Sequence, residues 1–254
     1  MSWASQRRFK YISILTAPPL LVFLVWLAFA LQVEPTCFDG KQNQNEVGVD
    51  CGGVCTLLCR SQVAPVNIVW SRSFPINEEY YNAVAYIENP NFDVAVYEVP
   101  YIFILYDAEG ILITERRGST YIATNGVTPI FESRILVGNR TPARTEFRFE
   151  APLAWRKLAS PRDVEVQNQE VSNLDTEPRV TATISQTGLN ELQELDVVAV
   201  IYDTRGNALL ASQRLIEILP GQGTQTITFV WPRPLEEEVG RVDVIPLIPP
   251  IEQN

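Results

Sequence analysis

One pattern occurs twice in this chain, and it limits the available folds more than any other feature. Tyr101-Ile-Phe-Ile-Leu-Tyr-Asp-Ala-Glu-Gly-Ile-Leu-Ile113 echoes Val197-Val-Ala-Val-Ile-Tyr-Asp-Thr-Arg-Gly-Asn-Ala-Leu209. With Asp107 set against Asp203, Tyr106 meets Tyr202 and Gly110 meets Gly206. Roughly the same offset brings Ala123-Thr-Asn-Gly126 near Pro220-Gly-Gln-Gly223, and Phe131 near Phe229. Such self-similarity marks one structural unit used twice. Two tandem domains of about 90 residues each are the expectation, a size that supports an independent core.

Each copy has the form of a hairpin. A β-rich run ends in Tyr-Asp, two variable residues follow, then Gly, then a second apolar run. Asp107 and Asp203 open the turn by accepting from backbone N–H groups, and Gly110 and Gly206 take the left-handed position that closes it. These four are therefore read as structural turn residues rather than as catalytic acids. Around them, Asn82-Ala-Val-Ala-Tyr-Ile-Glu88 and Arg179-Val-Thr-Ala-Thr-Ile-Ser185 alternate. That alternation puts Val84 and Tyr86, or Val180, Ala182 and Ile184, on one face of a strand. Eighteen prolines and abundant Val, Ile and Thr agree with strands and turns.

Phe103-Ile-Leu-Tyr-Asp107 carries a resemblance. It resembles the name-giving motif of the FxLYD family of bacterial extracytoplasmic domains, whose architecture is an immunoglobulin-like sandwich. In the second copy Ala199 stands for the Phe and Ile201 for the Leu, so that assignment rests on the repeat. The resemblance implies binding or spacer modules and transfers no catalytic residue. The expected fold class is all-β: two tandem Ig-like β-sandwich domains after an N-terminal transmembrane helix and a small disulfide-stapled segment.

Ahead of the repeats, residues 11–33 contain no charge, and Arg7, Arg8 and Lys10 precede them. About 20 helical residues cross the hydrocarbon core, and cations on the N-terminal side keep that end in the cytoplasm. The reading is a signal anchor at 11–33 with a cytoplasmic stretch at 1–10 and an extracytoplasmic bulk. Pro18 and Pro19 are expected to break or kink the early helix. A cleaved signal peptide competes, because Ala28-Phe-Ala30 has the form signal peptidase accepts.

All four cysteines, Cys37, Cys51, Cys55 and Cys59, follow at once with spacing C-x13-C-x3-C-x3-C. Export makes two disulfides the reading of this segment, 34–62, with three pairings open. Zinc is the alternative, against which the C-x3-C spacing is loose. Cys37-Phe-Asp-Gly through Asp50-Cys-Gly-Gly-Val-Cys55 resembles a short Cys-x-Asp-Gly…Asp-Cys-Gly-Gly-x-Cys module of exported bacterial proteins. Asp39, Asn43, Asn45, Glu46 and Asp50 offer hard oxygens, a candidate Ca2+ set. The competing reading uses the same side chains as turn caps.

The domain plan is thus a first β-sandwich at 63–154, a linker at 155–162 and a second sandwich at 163–254. The Pro-rich end Ile245-Pro-Leu-Ile-Pro-Pro-Ile251 is an edge strand or an extended tail. A net charge of −10 argues against nucleic acid. The absence of histidine removes the usual general base and the Ser-His and Cys-His pairs. The expectation is a non-enzymatic, membrane-anchored cell-envelope protein whose partners are envelope proteins. A calcium-dependent adhesin or sensor ectodomain is the second reading, and a carboxylate-based wall hydrolase the third.

Overall fold

The computed structural model describes residues 3–30, 35–159 and 163–252. The chain divides into two compact units, Met1–Cys55 and Thr56–Asn254. In the first, α1 (Trp3–Ala30) is the one described helix long and apolar enough to cross a membrane, with a mean hydropathy of 1.7 over Lys10–Leu27. Pro18 and Pro19 lie inside it without breaking it. Proline removes a backbone donor, yet its fixed φ is helical, so the turn continues while two carbonyls one turn back lose partners. Residues 31–33 of the expected span and residue 34 of the knot lie outside the described residues.

The knot is built from turns rather than from a core. Cys37 and Cys55 are joined, and Cys51 and Cys59 are also oxidised. Positive φ at Asp50, Gly52 and Gly53 folds Asp50-Cys-Gly-Gly back on Asn45. A Cβ on Gly53 would stand 2.0 Å from the Asn45 carbonyl oxygen, so glycine is required there.

In the second unit the two copies have the same topology. The first uses β1 (Asn67–Pro75), β2 (Tyr80–Asn89), β3 (Val94–Tyr106), β4 (Leu112–Ile122), β5 (Gly126–Leu136) and β6 (Arg144–Phe149). Sheet β1-β2-β5 packs over β4-β3-β6. The second uses β8 (Val164–Ser172), β9 (Arg179–Gln186), β10 (Leu192–Asp203), β11 (Ala208–Leu219), β12 (Thr224–Val230) and β13 (Val239–Leu247). Sheet β8-β9-β12 packs over β11-β10-β13, which repeats the first order strand for strand. Every pairing is antiparallel, as an all-β sandwich built of hairpins requires.

Alternation fills the two interiors. Ala83, Ala85 and Ile87 from β2 meet Tyr101, Phe103 and Leu105 from β3 in the first core. Val180, Ala182 and Ile184 from β9 meet Val197, Ala199 and Ile201 from β10 in the second. Between the sandwiches lies a third apolar layer. Val84 and Tyr86 on the far face of β2 pack with Val198, Val200 and Tyr202 on the far face of β10. β2 and β10 are therefore buried on both faces, which is why Ala83-Val-Ala-Tyr-Ile87 reads as nearly continuous apolar sequence.

The expected linker needs correction. Trp155–Ala159 is a strand, β7, which pairs with Val94–Val96 at the start of β3. Trp155 is 5% exposed and belongs to the first core. A bulge between Val96 and Val99 divides β3, so its first half takes β7 and its second half takes β6. Residues 160–162, the rest of the expected linker, lie outside the described residues. Past β13 the Pro-rich end forms β14 (Ile251–Glu252), which returns to pair with β7 of the first sandwich.

Candidate functional site

The two hairpin turns follow one design. Gly110 donates to the Asp107 carbonyl at 3.1 Å and Gly206 to the Asp203 carbonyl at 3.1 Å. Asp107 Oδ1 accepts from Ile111 N at 2.7 Å, and Asp203 Oδ1 accepts from Asn207 N at 2.7 Å. Gly110 and Gly206 have φ of 78° and 83°. Open space surrounds a Cβ at Gly206, so the cost of substitution there is conformational. Gly206→Val is expected to destabilise the chain by about 1–2 kcal/mol; an unchanged urea midpoint would refute the turn assignment.

Asp203 is tied down further. Asn207 Nδ2 donates to its Oδ2 at 2.8 Å and Arg205 N to its Oδ1 at 2.9 Å. Those bonds, the Asn207 amide first, hold its carboxyl down to about 2. A folded-state value below the unfolded one means stabilisation present above about pH 4 and lost as pH falls toward 2. The melting temperatures of the native chain and Asp203→Asn should therefore differ at pH 6 and converge as pH drops from 4 to 2. A constant gap would show that the carboxylate is not the stabilising species.

In the knot the three carboxylates of the candidate calcium set are turned onto protein groups, while the Asn43 side-chain oxygen is buried without a hydrogen-bond partner. Asp39 Oδ2 accepts from Asn43 Nδ2 at 2.8 Å and its Oδ1 from Lys41 N at 2.9 Å; the Asn43 bond is the main reason its carboxyl lies low. Both oxygens of Asp50 accept from Gly40 N, at 3.1 and 3.0 Å. Glu46 is buried, and its Oε2 accepts from Asn43 N at 3.2 Å. Asn45 contributes a left-handed turn position, φ 66°. Among the described residues, the one group of three Cys, Asp or Glu ligand atoms lying together is Cys37, Glu46 and Cys55. Its two sulfurs are bonded to each other, which leaves a single carboxylate. These contacts are those of turn caps in a stapled loop, and the carboxylates do not converge on one point.

The inter-sandwich layer holds an aromatic cluster of its own. Trp70 stacks on Tyr86 with centroids 4.4 Å apart, and Tyr202 meets both edge-on at 6.2 Å. Edge and stacked pairs each add about 0.5–1.5 kcal/mol beyond area burial. Arg241 lies over the Tyr202 ring at 4.1 Å, and the Tyr86 hydroxyl donates to Asp243 at 3.3 Å. Burial raises both phenols above their ordinary range. Arg72 crosses the junction, donating to the Ala208 carbonyl at 3.2 Å and to Asn207 Oδ1 at 3.3 Å.

The repeat makes an internal comparison available. Ile102, Ile104 and Tyr106 on β3 correspond to Val198, Val200 and Tyr202 on β10. Opposite Ile102 stand Arg117 and Arg148, and opposite Ile104 stand Glu115 and Glu146. The second copy has Gln213 and Ile245, then Ala211 and Asp243, in the matching places. Arg117 pairs with Glu115 at 2.9 Å and Glu150 at 3.0 Å, and Arg144 pairs with Glu146 at 3.7 Å. One face is therefore roofed by paired charges. The other, with Ala211 and Ile245 where the first has Glu115 and Arg148, receives the neighbouring sheet. Sequence reading missed this interface, although the Tyr106–Tyr202 match and the two-sided apolar run of β2 pointed to it.

No family model matches the chain, and no curated protein does. Among solved structures, red sea bream transglutaminase is similar at 11% identity, over 72% of this chain and 29% of its own, with a TM-score of 0.27. A putative beta-galactosidase from Bacteroides fragilis is similar at 14% identity, over 69% of this chain and 33% of its own, with a TM-score of 0.20. The chain spans about a third of either protein, and at these scores the likeness carries no functional argument.

Proposed function

We propose that this chain is a non-enzymatic cell-envelope protein, anchored by α1, that displays two sandwiches as one jointed unit for binding other envelope proteins. The observation that carries this reading is the Trp70–Tyr86–Tyr202 layer. Spending that much aromatic surface between two domains sets their mutual orientation, which a display or spacer element needs and a pair of independent catalytic domains does not. An anchor with cations on its N-terminal side supports an extracytoplasmic location for the sandwiches. The absence of histidine and the use of Asp107 and Asp203 as turn caps weigh against catalysis. The FxLYD-like motif supports the same class of role.

The test is crosslinking of the full anchored chain in intact cells, followed by affinity capture. Specific co-captured envelope proteins are the expected result. Capture of this chain alone, together with turnover of a wall polymer by the purified protein, would overturn the reading.

A further inference from the structure

The cysteine knot turns its carboxylates inward and its apolar side chains outward. Asp39, Glu46 and Asp50 each accept hydrogen bonds from groups of the knot itself. Phe38 is 75% exposed, and Val47, Val49 and Val54 are 51%, 55% and 63% exposed. Val47 and Val49 flank Gly48, which bridges to Cys51, and Val54 follows the glycine pair. A small unit designed for water does the reverse, with acids in solvent and its apolar groups withdrawn. Oxidised cysteines make this arrangement possible, because covalent staples replace the core that those side chains would otherwise form.

Chain length fixes where the knot works. Helix α1 ends at Ala30, and the staple begins at Cys37. The chain between them reaches about 25 Å when fully extended, and a flexible chain of that length averages about 15 Å end to end. Wherever α1 leaves a bilayer, the knot is therefore tethered beside its surface. Tethering makes the contact intramolecular, so that a weak affinity suffices to keep it formed. Exposed apolar groups concentrated in one short segment mark a contact surface, and the surface within reach of this one is lipid.

We propose that the knot lies in the membrane interface beside α1, with Phe38, Val47, Val49 and Val54 among the headgroups and upper acyl chains. This rests on the anchor reading above and adds a second contact with the same bilayer. Lys41 is the one cation between Pro35 and Cys59. Recognition is therefore by apolar area rather than by attraction to anionic lipid, and salt is expected to leave it unchanged.

The test uses the full chain in phosphatidylcholine vesicles, with photoreactive p-benzoylphenylalanine in place of Phe38, Val54, Trp26 or Leu189, one site at a time. All four side chains are more than half exposed, so unchanged melting temperatures are expected. Leu189, on the second sandwich, is the reference position, and Trp26 reports on the anchor. Mass spectrometry after irradiation is expected to find lipid adducts at positions 38 and 54 in at least fivefold the yield at 189, with and without about 0.5 M salt. Yields at 38 and 54 no greater than at 189 overturn the proposal. So do adducts to protein in place of lipid, which would make the apolar surface a protein contact, and yields that collapse in salt. Lipid adducts at 26 with none at 38 or 54 refute the knot's contact while the anchor stands; no lipid adduct at 26 overturns both.

Discussion

Val200→Asp is expected to replace one cooperative melt of the sandwich pair by two. Val200 is fully buried and lies on the side of β10 turned toward Val84 and Tyr86, away from the second core. A carboxylate there loses its water beside Asp243, which stands directly opposite on β13 and already holds Arg241. An unpaired buried charge costs about 3–5 kcal/mol, enough to part the two sheets rather than keep them in register. Each domain's own core lies on the other side of its sheet and stays intact. Calorimetry on the full chain reads the result directly, since uncoupled domains unfold separately. A single transition at the native temperature would mean that the aromatic layer adds little to the coupling.

Phe103→Ala is expected to cost about 3–5 kcal/mol, the range for deleting a fully buried aromatic ring. Phe103 is completely enclosed, with the rings of Phe147 and Tyr101 at 5.0 and 5.7 Å. The second copy already has Ala199 at the matching place, also fully buried. Its core is filled from another direction, by Phe229 and Trp231 on and just past β12. The first core has no tryptophan at that position, so the void left by Phe103→Ala is expected to persist. Urea unfolding of the native chain and the variant measures it, and a loss below about 1 kcal/mol would contradict the packing described here.

The repeat made the fold legible in advance because hairpin turns are local. Asp107, Gly110, Asp203 and Gly206 announce their geometry within five residues, and the strands on either side follow from alternation. Pairings between distant segments left weaker traces. Trp155–Ala159 sits among prolines and reads as a hinge, yet it is recruited by the first half of β3, some sixty residues upstream. Nothing within the segment itself announces that partner. The two prolines of α1 leave the helix unbroken, because their fixed φ already suits it. In the knot the acidic residues were legible as oxygen donors, but whether they serve an ion or backbone N–H groups depends on where Gly40, Lys41 and Asn43 fold. The inter-sandwich layer was the least visible, because alternation shows which residues share a face and not what that face meets.

The way the two copies meet has a consequence for assembly. The β1-β2-β5 sheet of the first copy lies on the β11-β10-β13 sheet of the second, so unlike surfaces join: the front of one unit seats on the back of the next. A contact of this kind is not closed by a twofold axis, and repeated without limit it generates an open-ended fibre. Here both ends are stopped. One terminal face carries the Arg117–Glu115–Glu150 and Arg144–Glu146 pairs above Ile102 and Ile104. The other carries rows of hydroxyls, with Thr181 bonded to Thr228 and Thr183 to Thr226. Neither offers the bare apolar surface that joins the middle, so the stacking operation is carried out once and the polymer it encodes has a length of two.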